Sequence, residues 1–112
     1  MESKFYEKDK LLIFKITEEI DDHSVQKIRG RVDYEIKRYM PKRVIFDFDS
    51  VTFIDSAGIG LIIGRYKLAN MIGAKLEVSN LTDSVKKIFE MSGLLRLITI
   101  TENLNNYIEN VS

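Results

Sequence analysis

Apolar residues from Leu11 to Thr17 fall on both faces of an extended chain: Leu12, Phe14 and Ile16 on one, Leu11 and Ile13 on the other. A strand of that kind is covered on both sides, as in a sheet flanked by helices. Phe5 to Glu7 reads as a preceding strand, and Asp9-Lys10 between the two predicts a tight hairpin turn. The spacing then changes. Val25, Ile28, Val32, Ile36 and Tyr39 recur at helical intervals behind three competent caps, Asp21, Asp22 and Ser24. Pro41 ends that helix, because the residue before a proline is pushed out of the helical region.

Arg43 to Phe48 is the next strand, and Ala57 to Ile72 the second helix. This helix is apolar on more than one side: Ile59, Ile62, Ile63 and Tyr66 form one stripe, Leu61, Gly64 and Leu68 another, with Gly73 just past its end. Lys75 to Ser79 reads as a strand. Thr82 caps a third helix carrying Val85, Ile88 and Phe89 and closed by Gly93. Leu97 to Ile100 is a last short strand, and Thr101 caps a terminal helix bearing Leu104, Tyr107, Ile108 and Val111. The order β-β-α-β-α-β-α-β-α predicts an α/β fold: a mostly parallel sheet of four to five strands, opened by a hairpin and flanked by about four helices. Residues 1–112 are read as a single domain, since 112 residues and 45% hydrophobic content suffice for one core.

Charge narrows the functional classes. Lysine plus arginine equals aspartate plus glutamate at 17 each, and no basic cluster stands clear of acidic neighbours, so no nucleic-acid partner is expected. The absence of cysteine removes disulfide and zinc-finger frameworks and suits the cytosol. The charged start, Met1-Glu2-Ser3-Lys4, is unlike a signal peptide, and no apolar run approaches the roughly 20 residues of a membrane span. A cytoplasmic location away from membranes is expected.

Catalytic motifs fail on inspection. A dinucleotide loop starting at Gly58 would need glycine where Ile63 stands, and a phosphate-binding loop would need lysine after Gly64, where Arg65 stands. A nucleophile elbow would need glycine at Ile54. His23 is the only histidine, so a Ser56-His23-Asp21 triad rests on one loop residue beside a helix cap, and no metal-ligand set is apparent. The runner-up reading is an aspartyl-phosphate receiver, with Asp21-Asp22 as its acidic pair and Asp47, Asp49 or Asp55 as acceptor. That arrangement needs a lysine late in the chain, and none follows Lys87. Neither catalysis nor a cofactor is therefore expected.

What stands out is Phe53-Ile54-Asp55-Ser56-Ala57-Gly58-Ile59-Gly60-Leu61. Ser56 lies where a helix begins, so a phosphate added there meets free backbone N–H groups and the positive end of the helix dipole. Asp55 and Asp21 each sit where a helix cap is wanted. Several residues here have two readings. Gly58 and Gly60 serve close packing or leave backbone bare so that a protein can approach Ser56. Gly64 reads as close packing of helix against sheet. Ile59 and Leu61 are core or contact surface.

The same stretch resembles the phosphorylation-site motif of the bacterial anti-sigma factor antagonists, the STAS domain. Thr17-Glu18-Glu19-Ile20-Asp21 is similar to the family's segment before the first helix, and Val85 to Leu94 to its late helix-plus-glycine signature. Gly64-Arg65-Tyr66-Lys67 is similar to the sporulation branch. Two positions depart from the common pattern. Glu18 stands where many members have glycine, and Ala57 where many have a second serine, which leaves Ser56 as the one hydroxyl acceptor of the motif. The resemblance implies a non-enzymatic switch. The unphosphorylated protein binds an anti-sigma factor that is also a serine kinase and brings its own ATP. Phosphorylation of Ser56 ends that binding, and a serine phosphatase restores it. Asp21, Asp55, Gly58, Ile59, Gly60 and Leu61 are the contact residues it implies; Asp21 is then a partner contact or a helix cap, and Asp55 a cap or the residue that positions Ser56 for the kinase. A ligand-sensing module of the same family in a stress-response complex is the alternative it leaves open.

Overall fold

The structure, a computed structural model, describes residues 1–111. Its elements are β1 (Glu2–Tyr6), β2 (Leu11–Lys15), α1 (Val25–Tyr39), β3 (Arg43–Asp47), α2 (Ser56–Met71), β4 (Lys75–Ser79), α3 (Asp83–Ser92), a short 3-10 helix (Leu94–Arg96), β5 (Thr99–Thr101) and α4 (Leu104–Val111). The sheet order is β1-β2-β3-β4-β5. β1 is antiparallel to β2, and every later pairing is parallel. This is the mixed, mostly parallel sheet expected from the pattern of apolar positions.

The expected double cover of β2 is present. Leu12 and Phe14 join Val44, Phe46, Leu76 and Val78 beneath Ile28, Val32 and Ile36 of α1, Leu61 and Ile62 of α2, and Val85 and Phe89 of α3. Leu11, Ile13 and Ile45 face the other way and meet Leu104 of α4. An aromatic row runs from Phe14 through Phe46 and Phe48 to Phe89, with centroids 5.4–6.3 Å apart. It ties the central strands to α3 over distances at which rings attract.

Most boundaries shift by a residue or two. β1 starts at Glu2 because an edge strand takes polar residues on its open face, a pattern that apolar periodicity does not register. The hairpin turn spans Glu7 to Lys10, closed by Lys10 N–H donating to the Glu7 carbonyl, with Lys10 left-handed at φ 51°. Leu97 and Ile98 are not strand residues: both amides donate to the Leu94 carbonyl, so the chain stays coiled until Thr99. Thr101 is not the cap of α4 but the last residue of β5. Its hydroxyl donates to Glu77, and the left-handed Asn103 leads into the helix. The side chain of Val111, expected on the apolar stripe of α4, lies outside the described residues.

The face under α4 carries a partly buried ion pair. Arg43 grips Glu77 through Nε and Nη2 at 2.8 and 2.9 Å, and its Nη1 donates to the Tyr107 hydroxyl at 3.1 Å. Glu77 is 4% exposed. Burial alone would raise its carboxyl pKa, but the hydrogen bonds from Arg43 and Thr101 outweigh burial and hold it below the usual value of 4.5. A lowered carboxyl stabilises the fold at pH above the unfolded value and loses that effect as pH falls through the folded one. Replacement Glu77→Gln is expected to cost about 1–3 kcal/mol at neutral pH. In urea denaturation the gap from wild type should hold at pH 7, begin to narrow near the unfolded value of 4.5 and close as acid takes the folded carboxyl.

Candidate functional site

Two loops meet at the carboxyl end of the parallel strands. After β2 the chain passes Ile20, after β3 it passes Ile54, and these two residues form an isolated parallel bridge. Both are 1% exposed. The next residue of each loop is therefore an aspartate carried side by side with the other: Asp21 after Ile20, Asp55 after Ile54. A second link is the hydroxyl of Thr52, which donates to Glu19 at 3.3 Å. Glu18 is exposed and pairs with the N-terminal amine at 3.1 Å. It is not among the left-handed residues, so this turn has no conformational need for glycine.

Asp55 is the N-cap of α2. Its backbone is extended, and Oδ1 accepts from the amide of Gly58 at 3.1 Å. Ser56 is thus the first residue of the helix rather than its cap, and it is exposed. Its hydroxyl is not the group that closes the helix terminus. Asp21 caps in its own loop: Oδ1 accepts from the amides of His23 and Ser24 at 2.9 and 3.0 Å. Those two backbone bonds, Ser24 first, lower the Asp21 pKa and keep the exposed side chain ionised. Ser24, the first residue before α1, turns its hydroxyl away to the Glu19 carbonyl.

The glycines divide in a way that composition does not show. A Cβ on Gly58 would lie 2.9 Å from Ile54 Cδ1, closer still to Ile54 Cγ1, and 3.2 Å from Ile20 Cγ2. Gly58 is therefore buried against the bridge that joins the two loops. Gly60 and Gly64 have nothing within 4 Å of an added Cβ. The close-packing reading thus fails at Gly64 and holds at Gly58, and Gly58 offers no bare backbone for a partner to approach. Leu61 is 3% exposed and belongs to the core, which corrects its reading as contact surface. Ile59 is half-buried against the core and Gly60 is exposed. Sequence reasoning passed over Phe53, which is 58% exposed one residue before the buried Ile54. The signal was there: in an extended segment, Phe53 and Ile54 must point to opposite sides.

The rejected chemistries can be placed as well. The Asp21 carboxylate is occupied by backbone amides, one of them that of His23, and both residues are exposed. Asp47 is 8% exposed and accepts from the Asp49 amide and the Asn80 side chain. Among the described residues no three His, Cys, Asp or Glu side chains converge on a point that could hold a metal. A receiver would need such a gathering. No helix of the described residues is long and apolar enough to cross a membrane.

Alongside this geometry stand clear likenesses to known proteins. The family model described as the STAS domain matches residues 2–107. The anti-sigma F factor antagonist of Paenibacillus polymyxa is 32% identical over 93 residues, 83% of this chain and 80% of that protein. The anti-sigma-B factor antagonist of Listeria monocytogenes is 29% identical over 101 residues, 89% of this chain and 86% of that one. Among solved structures, the anti-sigma factor antagonist SpoIIAA in its unphosphorylated form superposes with a TM-score of 0.75 at 25% identity, covering 92% of this chain and 89% of that one.

The division of the glycines is testable. Gly58→Ala should lower stability by about 1–3 kcal/mol through overpacking. Gly64→Ala should be neutral or raise it by up to about 1 kcal/mol, as alanine does at an open helical position. Urea denaturation of the two variants beside wild type checks the opposite signs.

Proposed function

Because the chain belongs to the STAS domain family, we propose that it is an anti-sigma factor antagonist, a single-domain cytoplasmic switch set by phosphorylation of Ser56. Unmodified, it binds an anti-sigma factor that is also a serine kinase, and the sigma factor is released. The kinase transfers the γ-phosphoryl group of its own ATP to Ser56: the Oγ–P bond forms, the bond to the leaving ADP breaks, and the hydroxyl proton is lost to the kinase's base or to water. A serine phosphatase hydrolyses the ester and resets the protein. No cofactor, nucleic acid or membrane enters the cycle. Gly64-Arg65-Tyr66-Lys67, together with the anti-sigma F antagonists among its relatives, favours the sporulation branch.

One observation carries this reading: Asp55 takes the capping bond, so Ser56 stands exposed at the first position of α2 with its hydroxyl free for transfer. A phosphate there adds about −1.5 to −2 charges. The helix terminus tolerates it, because the dipole contributes roughly 0.3–1 kcal/mol in its favour. An interface does not tolerate it. Closing a partner over a dianion beside Asp55 and Asp21 costs desolvation and like-charge repulsion. A penalty of about 4 kcal/mol weakens binding about a thousandfold. Release then needs no refolding of α2. Asp21, Asp55, Ile59 and Gly60 form the contact surface around the serine, and the exposed Phe53 extends it.

Incubation with the anti-sigma kinase and ATP should place one acid-stable phosphate on the protein, absent in Ser56→Ala, with mass spectrometry locating it. Ser56→Asp should bind the kinase about a hundredfold or more weakly than wild type by calorimetry. Phosphate on an aspartate, or a Ser56→Asp variant that binds like wild type, would overturn the switch.

A further inference from the structure

The helices α1 and α2 run parallel, since each crosses from the end of one parallel strand to the start of the next. Between them is a groove of about 410 Å³, lined by Asp22, Gln26 and Arg29 on one side and by Ala57, Gly60 and Gly64 on the other, with Arg65 at its base. The glycine wall is not a packing necessity, because nothing lies within 4 Å of a Cβ at Gly60 or Gly64. The open space is therefore a property of this sequence, which leaves room where alanine would be tolerated.

The groove is electrically uneven. Arg65 is 6% exposed, with Nε 2.7 Å from Asp33 Oδ1 and Nη1 donating to the Leu61 carbonyl at 3.4 Å. Arg29 reaches the same carboxylate only at 3.9 Å through its Nε, and its side chain is 56% exposed. Two guanidinium groups thus share one carboxylate. Burial lowers the pKa of Arg65; Asp33 offsets this, and the nearby charge of Arg29 adds to the lowering. Asp33 is engaged chiefly by Arg65, so Arg29 keeps most of its five donors for something else. The one acid lining the groove, Asp22, stands at the opposite end, in the turn that precedes α1 and seven residues before Arg29. Ala57, at that same end, follows Ser56 directly.

We infer that this groove seats an acidic side chain, glutamate or aspartate, of the anti-sigma factor, with its carboxylate on Arg29 and its stem against the bare backbone of Gly60 and Gly64. The inference rests on the antagonist reading above and deepens it by assigning the chemistry of the partner's anchor. The charges set the polarity: the carboxylate lies at the Arg29 end, away from Asp22. It also lies in the groove whose head is next to the phosphorylated residue, so a dianion on Ser56 repels the anchor as well as its own neighbouring aspartates. Arginine suits this role because its planar fork binds a carboxylate through two bonds at once.

The test is a titration of the purified anti-sigma factor into four forms: wild type, Arg29→Glu, Gly64→Leu, and Lys8→Glu as a matched charge reversal in the exposed hairpin turn at the far end of the sheet. Arg29→Glu is expected to bind about tenfold or more weakly, with the deficit shrinking at high salt. Gly64→Leu, which plugs the groove without touching a charge, should lose a similar factor while keeping a cooperative melt. Lys8→Glu should stay within about twofold. Wild-type affinity in both groove variants would overturn the inference, as would equal losses in Arg29→Glu and Lys8→Glu, which would mark general steering by net charge. A wild-type protein that does not bind the anti-sigma factor overturns the antagonist reading instead.

Discussion

The missing side chain of Gly58 is what allows the functional end of this protein to exist in its present form. The first turn of α2 lies on the Ile20–Ile54 bridge at a distance that any Cβ would violate. That contact fixes three things together. It holds the loop after β2 beside the loop after β3, it brings Asp21 and Asp55 to adjacent positions, and it sets the height at which α2 starts. Once α2 starts there, Asp55 reaches the Gly58 amide and Ser56 is left outside. A glycine inside the first turn of a helix carries a conformational cost of about 1 kcal/mol relative to alanine. Here the cost is offset by the fit of two core isoleucines against bare backbone.

The two faces of the sheet divide the work. The face under α1, α2 and α3 holds the larger apolar core and the aromatic row, and it is rigid in the ordinary sense of close packing. The face under α4 has only a small apolar patch. Its remaining order comes from polar pairing, with Arg43, Glu77, Thr101 and Tyr107 joined in one network. The site draws on the first face. In the switch proposed above, a phosphate on a serine at the start of a helix seated on a close-packed core would act on whatever docks rather than on the fold. The exposed residues around it, Asp21, Gly60 and Phe53, come from both loops and from the helix itself.

Charge acts locally in this chain, whose formal net charge is zero. Acidic groups flank Ser56 in Asp21 and Asp55, while a largely unspent positive charge stands on Arg29, which lines the groove beside α2. A neutral whole therefore presents a patterned surface. The pattern depends on the parallel run of α1 and α2, which puts the ninth residue of α1, Asp33, and the tenth of α2, Arg65, face to face.

The alternation and periodicity of apolar residues were enough to establish the order of elements, the hairpin opening, the parallel sheet and its helical cover, because burial of apolar surface is a local demand repeated along the chain. The motif around Ser56 was legible for the same reason: a strand, a cap and a helix start are neighbours in sequence. Glycine is where local reading ran out. Gly58, Gly60 and Gly64 look alike in one helix, and only the tertiary structure separates the one pressed against Ile20 and Ile54 from the two that face open space. Thr101, a sound cap by type, became a strand residue because Glu77, 24 positions away, offers its hydroxyl an acceptor. Leu61 turned inward and Phe53 outward through the same cause. The chain by itself determined which residues could cap a helix or pack in a core. The packing of distant segments decided which of them did, since the atoms that occupy or vacate the space beside a residue are supplied by other parts of the chain.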